Sequence, residues 1–279
     1  MAYDGYDVLK IRVDRGVAFV TIDNPPINLF DAALMRDINR AGLELEADGD
    51  VRVVVFDSAN PDFFIAHADV SLIQQLPNEA PPKELKLGFF HTMVDRFRTM
   101  PKATIAKIEG RARGGGSEFA LSMDMRFAAL GRAFLGQPEV AVGIIPGGSG
   151  TQRLPRLVGR ARALEIVLGC EDVPADLAER YGYVNRALPP DELGPFVERL
   201  AYRIASFSPD AIRLAKAAVD AAELPVIEGL LEEGHLFAQS VATPEAQRRM
   251  AAFMAAGGQS REVEMRANPL DDASLRGDG

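Results

Sequence analysis

Apolar and polar residues alternate over Leu9-Lys10-Ile11-Arg12-Val13, Asp14-Arg15-Gly16 supplies a turn, and Val17 to Ile22 resumes with β-forming residues. A period of two broken by a turn predicts a β-hairpin. Leu34, Ile38, Ala41 and Leu45 then recur at helical spacing after Asp31, and Val51 to Phe56 is a short, almost wholly apolar run of the kind a buried strand carries. A second helix is predicted from Glu84 to Met100, with Phe90, Met93, Val94 and Phe97 turned inward. It is followed by a strand over Ala103 to Ile108 that runs into Gly110. Beyond Glu139 the glycine-rich stretch Gly143 to Gly150 gives way to helical patterning, and one more strand is predicted at Tyr183-Val184-Asn185. From Pro190 onward the pattern is helical. Ser208-Pro209 and Thr243-Pro244 each set a hydroxyl at an N-cap and a proline at the first helical position, and Gly257-Gly258 is a C-terminal stop. The pattern therefore divides the chain into an α/β core over 1–189, a helical module over 190–265 and a tail, Arg266 to Gly279, expected to be frayed. No internal repeat or low-complexity segment interrupts it.

Composition narrows the class. With 279 residues, 47% hydrophobic and 25% charged, the chain can bury a sizeable core. A formal charge of −9 argues against a nucleic-acid partner, so an anionic ligand must be met by a local cluster. Cys170 is the one cysteine, which excludes an intramolecular disulfide. The start Met1-Ala2-Tyr3-Asp4 lacks the basic and apolar regions of a signal peptide, and no apolar run approaches the length of a membrane span. A cytoplasmic enzyme with no membrane association is expected.

Candidate chemistry gathers around two segments. A strand ends in Gly114-Gly115-Gly116, and Ser117-Glu118 and the apolar helical pattern Phe119-Ala120-Leu121 follow. Glycines there leave backbone N–H groups open to a ligand oxygen, the outline of an oxyanion or anion site. A tight strand-to-helix turn without a ligand fits the glycines equally well. The run is no nucleotide fingerprint, and Gly147-Gly148-Ser149-Gly150-Thr151 lacks the lysine of a P-loop. Glu118, in a first helical turn, is favoured there on structural grounds alone, and Glu139 after Pro138 fits an ordinary solvated loop residue. His67, His91 and His235 are too scattered for a metal site, so no metal is expected.

Four motifs in register settle the direction of the reading. Phe64-Ile65-Ala66-His67-Ala68-Asp69, Glu109 to Glu118, Leu135-Gly136-Gln137-Pro138-Glu139 and Ile145 to Leu154 resemble, in type and order, the crotonase (enoyl-CoA hydratase/isomerase) superfamily. The resemblance runs from the opening strand pair through Tyr183-Val184-Asn185 to the C-terminal helices. It implies a spiral of repeated β-β-α turns, a helical trimerisation region, and a homotrimer or a hexamer made of two trimers. It implies an acyl-CoA thioester as substrate, with CoA entering as part of that substrate and no separate cofactor. By the resemblance the N–H groups of Ala68 and Gly115 form an oxyanion hole, and Glu118 and Glu139 hold the attacking water. Ala66, His67, Asp69, Gly114, Pro138 and Gly147 are expected to line the substrate path. Both carboxylates together favour addition of water to a 2-enoyl-CoA. A Δ3-to-Δ2 isomerase working chiefly through Glu139, other CoA-thioester chemistry of the family, and a non-catalytic acyl-CoA binder are the alternatives.

The chain departs from the family pattern at named places. His67 stands where glycine is usual. The segment Asn24 to Asn28 has no lysine or arginine beside it, and Gly257 to Arg261 replaces a more basic stretch. Lys102, Lys107, Arg111 and Arg113 are candidates for positive charge near CoA, and equally for solvated side chains. Arg153, Arg156, Arg160 and Arg162 read as a helix face or a subunit contact, and Cys170 as inert packing.

Overall fold

The protein is described by a computed structural model over residues 3–77, 79 and 82–265. Two compact units are present, Met1–Tyr202 and Arg203–Gly279. The predicted hairpin is the first element of the larger unit. Strands β1 (Leu9–Asp14) and β2 (Val17–Ile22) pair antiparallel from Leu9↔Ile22 to Asp14↔Val17. Arg15 and Gly16 both take positive φ, which matches the twist of a two-residue hairpin turn. Helix α1 (Ala32–Ala47) starts where Asp31 accepts the Leu34 N–H, and Leu34, Ile38, Ala41 and Leu45 are all buried on the face their spacing predicts.

From there strands alternate between two sheets. The elements in order are β3 (Val53–Ser58), β4 (Phe63–Ile65), α2 (Val70–Gln74), α3 (Phe89–Thr99), β5 (Ala103–Ile108), β6 (Arg111–Arg113) and α4 (Gly115–Leu121). There follow β7 (Met125–Ala129), β8 (Phe134–Gly136), α5 (Gly150–Val158), α6 (Arg160–Gly169), β9 (Val173–Pro174), α7 (Ala175–Tyr181), β10 (Arg186–Leu188) and α8 (Pro190–Ala205). One mixed sheet has the order β1-β2-β3-β5-β7-β10 and the other β4-β6-β8-β9. In the first, only the hairpin is antiparallel. In the second, β9 runs against β8. Strands β3, β5 and β7 of the larger sheet are each followed by a short strand of the smaller one, β4, β6 and β8.

Two predicted elements differ. The helix assigned to Glu84–Met100 begins only at Phe89, after Gly88 as N-cap. Leu85 ahead of it is 98% exposed, so the apolar positions of that stretch have no core to face. The strand assigned to Tyr183-Val184-Asn185 lies three residues later, in β10. Those three residues instead turn the chain. Tyr183 and Val184 both give their N–H to Ala178, and Asn185 exchanges hydrogen bonds with the backbone of Arg126.

The core under the site is aromatic. Phe119 of α4 meets Phe30, Phe56, Phe64 and Phe97 at ring-centroid distances of 5.0–6.5 Å, mostly edge-on. Aromatic residues from four other places in the chain therefore fix this short helix. The smaller unit contains α9 (Pro209–Asp220), α10 (Val226–Ala242), α11 (Pro244–Ala255) and α12 (Arg261–Glu264). Thr243 caps α11 by accepting the Ala246 N–H, as its place before proline predicts, whereas Ser208 makes no such bond. The proposed frayed tail lies outside the described residues. Among the described residues, no helix is long and apolar enough to cross a membrane.

Candidate active site

The glycine run is shaped by what lies against it. β6 ends at Arg113, and Gly114 turns the chain with φ +48°, a conformation L side chains resist. A Cβ at Gly114 would also fall 2.7 Å from Glu139 Oε1, and one at Gly116 would fall 2.3 Å from the Ile65 carbonyl oxygen. At Gly115 the added carbon would lie 3.1 Å from the Ala68 Cβ and 3.5 Å from the Ala68 nitrogen. The backbones of residues 68 and 115, far apart in sequence, are thus brought side by side.

Both amides are open. Ala68 forms a parallel bridge with Phe30 in which Phe30 gives its N–H to His67 and takes one from Asp69, so the N–H of Ala68 points away from Phe30. Gly115 is the first residue of α4, where an N–H has no partner inside the helix. Neither N–H meets an acceptor among the described residues.

Two carboxylates complete the site. Glu118 is 4% exposed, and its Oε1 accepts the Gly148 N–H at 2.7 Å and the Gly150 N–H at 2.8 Å. A Cβ at Gly148 would stand 2.4 Å from the other Glu118 oxygen, so this loop must pass as bare backbone. Burial pushes the Glu118 carboxyl above its usual range, with the two amides pulling the other way. Glu139 opens a 3-10 turn after β8 and is half-buried. Burial raises it to about 7, and the neighbouring charge of Glu118 adds to the rise. Two acids held beside each other in poor solvent cannot both ionise easily, the arrangement that lets one give a proton while the other takes one.

Comparison with known proteins decides the lineage. Residues 12–258 match the family described as Enoyl-CoA hydratase/isomerase. The chain belongs to the enoyl-CoA hydratase/isomerase family. It is 33% identical to a short-chain-enoyl-CoA hydratase of Clostridium acetobutylicum over 250 residues, covering 89% of this chain and 93% of that one. It is also 33% identical to a crotonyl-CoA hydratase of Syntrophomonas wolfei over 252 residues, covering 89% and 95%. A crystal structure of an enoyl-CoA hydratase from Bacillus anthracis superposes with a TM-score of 0.82 at 28% identity, covering 90% of this chain and 97% of that one. The α/β architecture with two mixed sheets is that of the family.

Against this family frame the remaining expected site residues separate into groups. Ala66 is buried and bound through its N–H to Ile27, so it offers the site its place in the backbone only. His67 is half-buried and donates from Nδ1 to the Ala68 carbonyl at 2.8 Å. Asp69 caps α2 by accepting the Ser71 N–H at 2.8 Å. Pro138 enters the turn that carries Glu139, and Gly147 is exposed at the start of the loop that binds Glu118. The basic candidates are mostly engaged elsewhere. Lys102 is buried with its ammonium on the Asp48 and Val51 carbonyls, and Lys107 pairs with Asp57 and Glu109. Arg113 pairs with Asp172, Arg153 with Asp95, and Arg111 lies over Phe134. Cys170, read as inert packing, is the half-buried C-cap of α6 and has positive φ.

Sequence reasoning left Gly148, Gly150, Gln137, Ser117 and Tyr183 without roles. Gly148 and Gly150 stood within a recognised motif, but a backbone amide carries no side-chain signal of its target. Among the described residues, no three His, Cys, Asp or Glu side chains gather in a metal-binding cluster.

Proposed function

We propose that the protein adds water to a 2-enoyl-CoA to give the 3-hydroxyacyl-CoA. The observation that carries this reading is the pair Glu118 and Glu139, both with raised proton affinity, beside the two open amides of Ala68 and Gly115. The thioester oxygen lies between those amides, where charge gathers as the enolate forms and where fixed donors favour the transition state over the ground state. Water sits between the carboxylates. The ionised one takes a proton as the water oxygen bonds to Cβ, and the protonated one gives a proton to Cα as the enolate collapses. One proton leaves water and one arrives on carbon, so the acid pair ends with its charge unchanged. Ala66, His67, Asp69, Gly114, Pro138 and Gly147 line the approach to these groups.

The wider reading follows the family. The repeated β-β-α passages form the spiral over 1–189, residues 190–265 supply the helical trimerisation module, and the assembly is a homotrimer or a dimer of trimers in the cytoplasm. The relatives named as hydratases support hydration over the family's other chemistries.

The test is a spectrophotometric assay of purified protein with crotonyl-CoA and longer 2-enoyl-CoA substrates, with a 3-enoyl-CoA in parallel. Loss of the conjugated enoyl-thioester absorbance with 3-hydroxyacyl-CoA formed is expected, and Glu118→Gln and Glu139→Gln should each lower turnover by about a hundred-fold or more with binding nearly intact. Near-wild-type turnover in both variants sinks the two-carboxylate mechanism. Absorbance gained only from the 3-enoyl substrate replaces hydration with isomerisation, and silence with all substrates removes hydration in favour of a binding role.

A further inference from the structure

Behind Glu139 lies a line of buried polar groups that the proposed chemistry does not use. Tyr183 is fully buried in the turn before β10, and its hydroxyl stands 2.5 Å from Ser117 Oγ on α4. Gln137, also fully buried, has one terminal atom of its amide 3.3 Å from Ser117 Oγ and the other 3.3 and 3.2 Å from the two Glu139 oxygens. The amide is oriented by chemistry. Its nitrogen must face the carboxylate and its oxygen the hydroxyls, since the reverse would set oxygen against oxygen.

Donation then runs in one direction. Burial pushes the Tyr183 hydroxyl upward, so it stays protonated and keeps a proton to donate toward Ser117 and Gln137, both of which it meets in hydrogen bonds. Ser117 donates to the Gln137 carbonyl, and the Gln137 amide donates to Glu139. Hydrogen bonds in such a chain polarise one another when water is absent. Three interior polar side chains are costly unless each is satisfied, and here they satisfy one another. The Tyr183 end is fixed by its own backbone, whose N–H goes to Ala178 and whose carbonyl takes the buried Arg126 guanidinium at 3.0 Å.

We propose that Tyr183, Ser117 and Gln137 form a buried relay of positioning residues that orients Glu139 and supports its ionised form. The relay gives the proposed hydratase a means of setting when Glu139 exchanges its proton, and to that extent it rests on the hydration reading. The titratable groups that act on Glu139 are Glu118 from α4 and Tyr183 from the turn before β10, and the His67 Cβ also borders Gly114. Of these, Glu118 opposes ionisation. Removing a relay donor weakens the bond to the carboxylate and raises its proton affinity. The sign is the same whichever partner of the acid pair serves as base.

The experiment uses the full chain with 13C-labelled glutamate side chains. Carboxyl titrations are followed by NMR in wild type, Tyr183→Phe, Ser117→Ala and Ser117→Thr, with Glu139 assigned by its loss in Glu139→Gln, and crotonyl-CoA kinetics are taken on the same samples. In Tyr183→Phe and Ser117→Ala the Glu139 midpoint should rise by roughly half a pH unit, about threefold in proton affinity. Ser117→Thr, which keeps the hydroxyl, should restore it. The matching limb of the kcat profile should move by the same amount while KM changes less than about twofold. A midpoint unmoved in both Tyr183→Phe and Ser117→Ala overturns the relay. Should Tyr183→Phe fail to fold, Ser117→Ala decides alone. Because the titration needs no turnover, a wild type that does not hydrate crotonyl-CoA sinks the hydration reading while the relay is still judged by its midpoint.

Discussion

Glu139 gains its high proton affinity chiefly from burial, not from a partner that neutralises it, and this has a consequence for stability as well as for chemistry. Its carboxyl moves from an ordinary value of 4.5 in the unfolded chain to about 7 in the folded one. Below 4.5 both states hold the proton. Between 4.5 and 7 the unfolded chain releases it while the folded protein keeps it, so unfolding becomes progressively easier as pH rises, and above 7 the penalty is constant. Glu139→Gln has no such penalty. Solvent reaches part of the side chain and screens its charge, so the expected gain in Tm at pH 8 is about 2–4 °C, the equivalent of about 1 kcal/mol. At pH 5 the gain should be close to zero. Thermal melts of the two proteins across this range check it, and a difference independent of pH would mean that burial does not set the Glu139 proton affinity. At this scale the two acids were legible because each sits in a motif, and their surroundings were not. The amides of Gly148 and Gly150 reach Glu118 across 30 and 32 residues, and no periodicity connects them.

The elements that present these residues owe their placement to packing more than to propensity. Helix α4 spans seven residues, too few to stand alone, and all seven are buried. Its anchor is Phe119, next in sequence to Glu118 and edge-on to three of the four rings around it. Phe119→Ala should therefore cost about 3–5 kcal/mol in chemical denaturation, from lost burial and the cavity left behind. Phe119→Leu, which keeps most of the volume, should cost less than about 1.5 kcal/mol. Equal losses in the two would show that α4 is held by its backbone contacts and not by the aromatic cluster. Longer elements could be read in advance, since α1 and β5 repeat their apolar residues often enough to show a period. Strands β4, β6 and β8 have three residues each, too short to display one, although they carry the chain into the site. The helix before β5 was read too long for the opposite reason. Leu85 and Leu87 continue an apolar pattern that no core receives.

At the scale of the molecule the smaller unit raises the question of what covers it. Val226, Ile227, Leu230 and Leu231 recur on α10 at helical spacing and are each between 55% and 76% exposed, and Phe237 on the same helix is 68% exposed. A soluble chain seldom leaves so large an apolar stripe to water, because each such side chain loses about 1.5–3 kcal/mol of burial free energy by remaining outside. The charge of −9 keeps single chains apart only at long range and is screened over about 8 Å in physiological salt. The family resemblance implies self-association through this unit, and we predict that the exposed stripe takes part in it. Light scattering at micromolar concentration should give a mass about three or six times the 30.2 kDa of one chain. Ile227→Glu combined with Leu231→Glu places charge on the stripe and should lower that mass toward one chain, with the helical circular dichroism retained, since both residues are exposed already. A wild-type mass of one chain would refute assembly, and an unchanged mass in the double variant would move the contact away from α10.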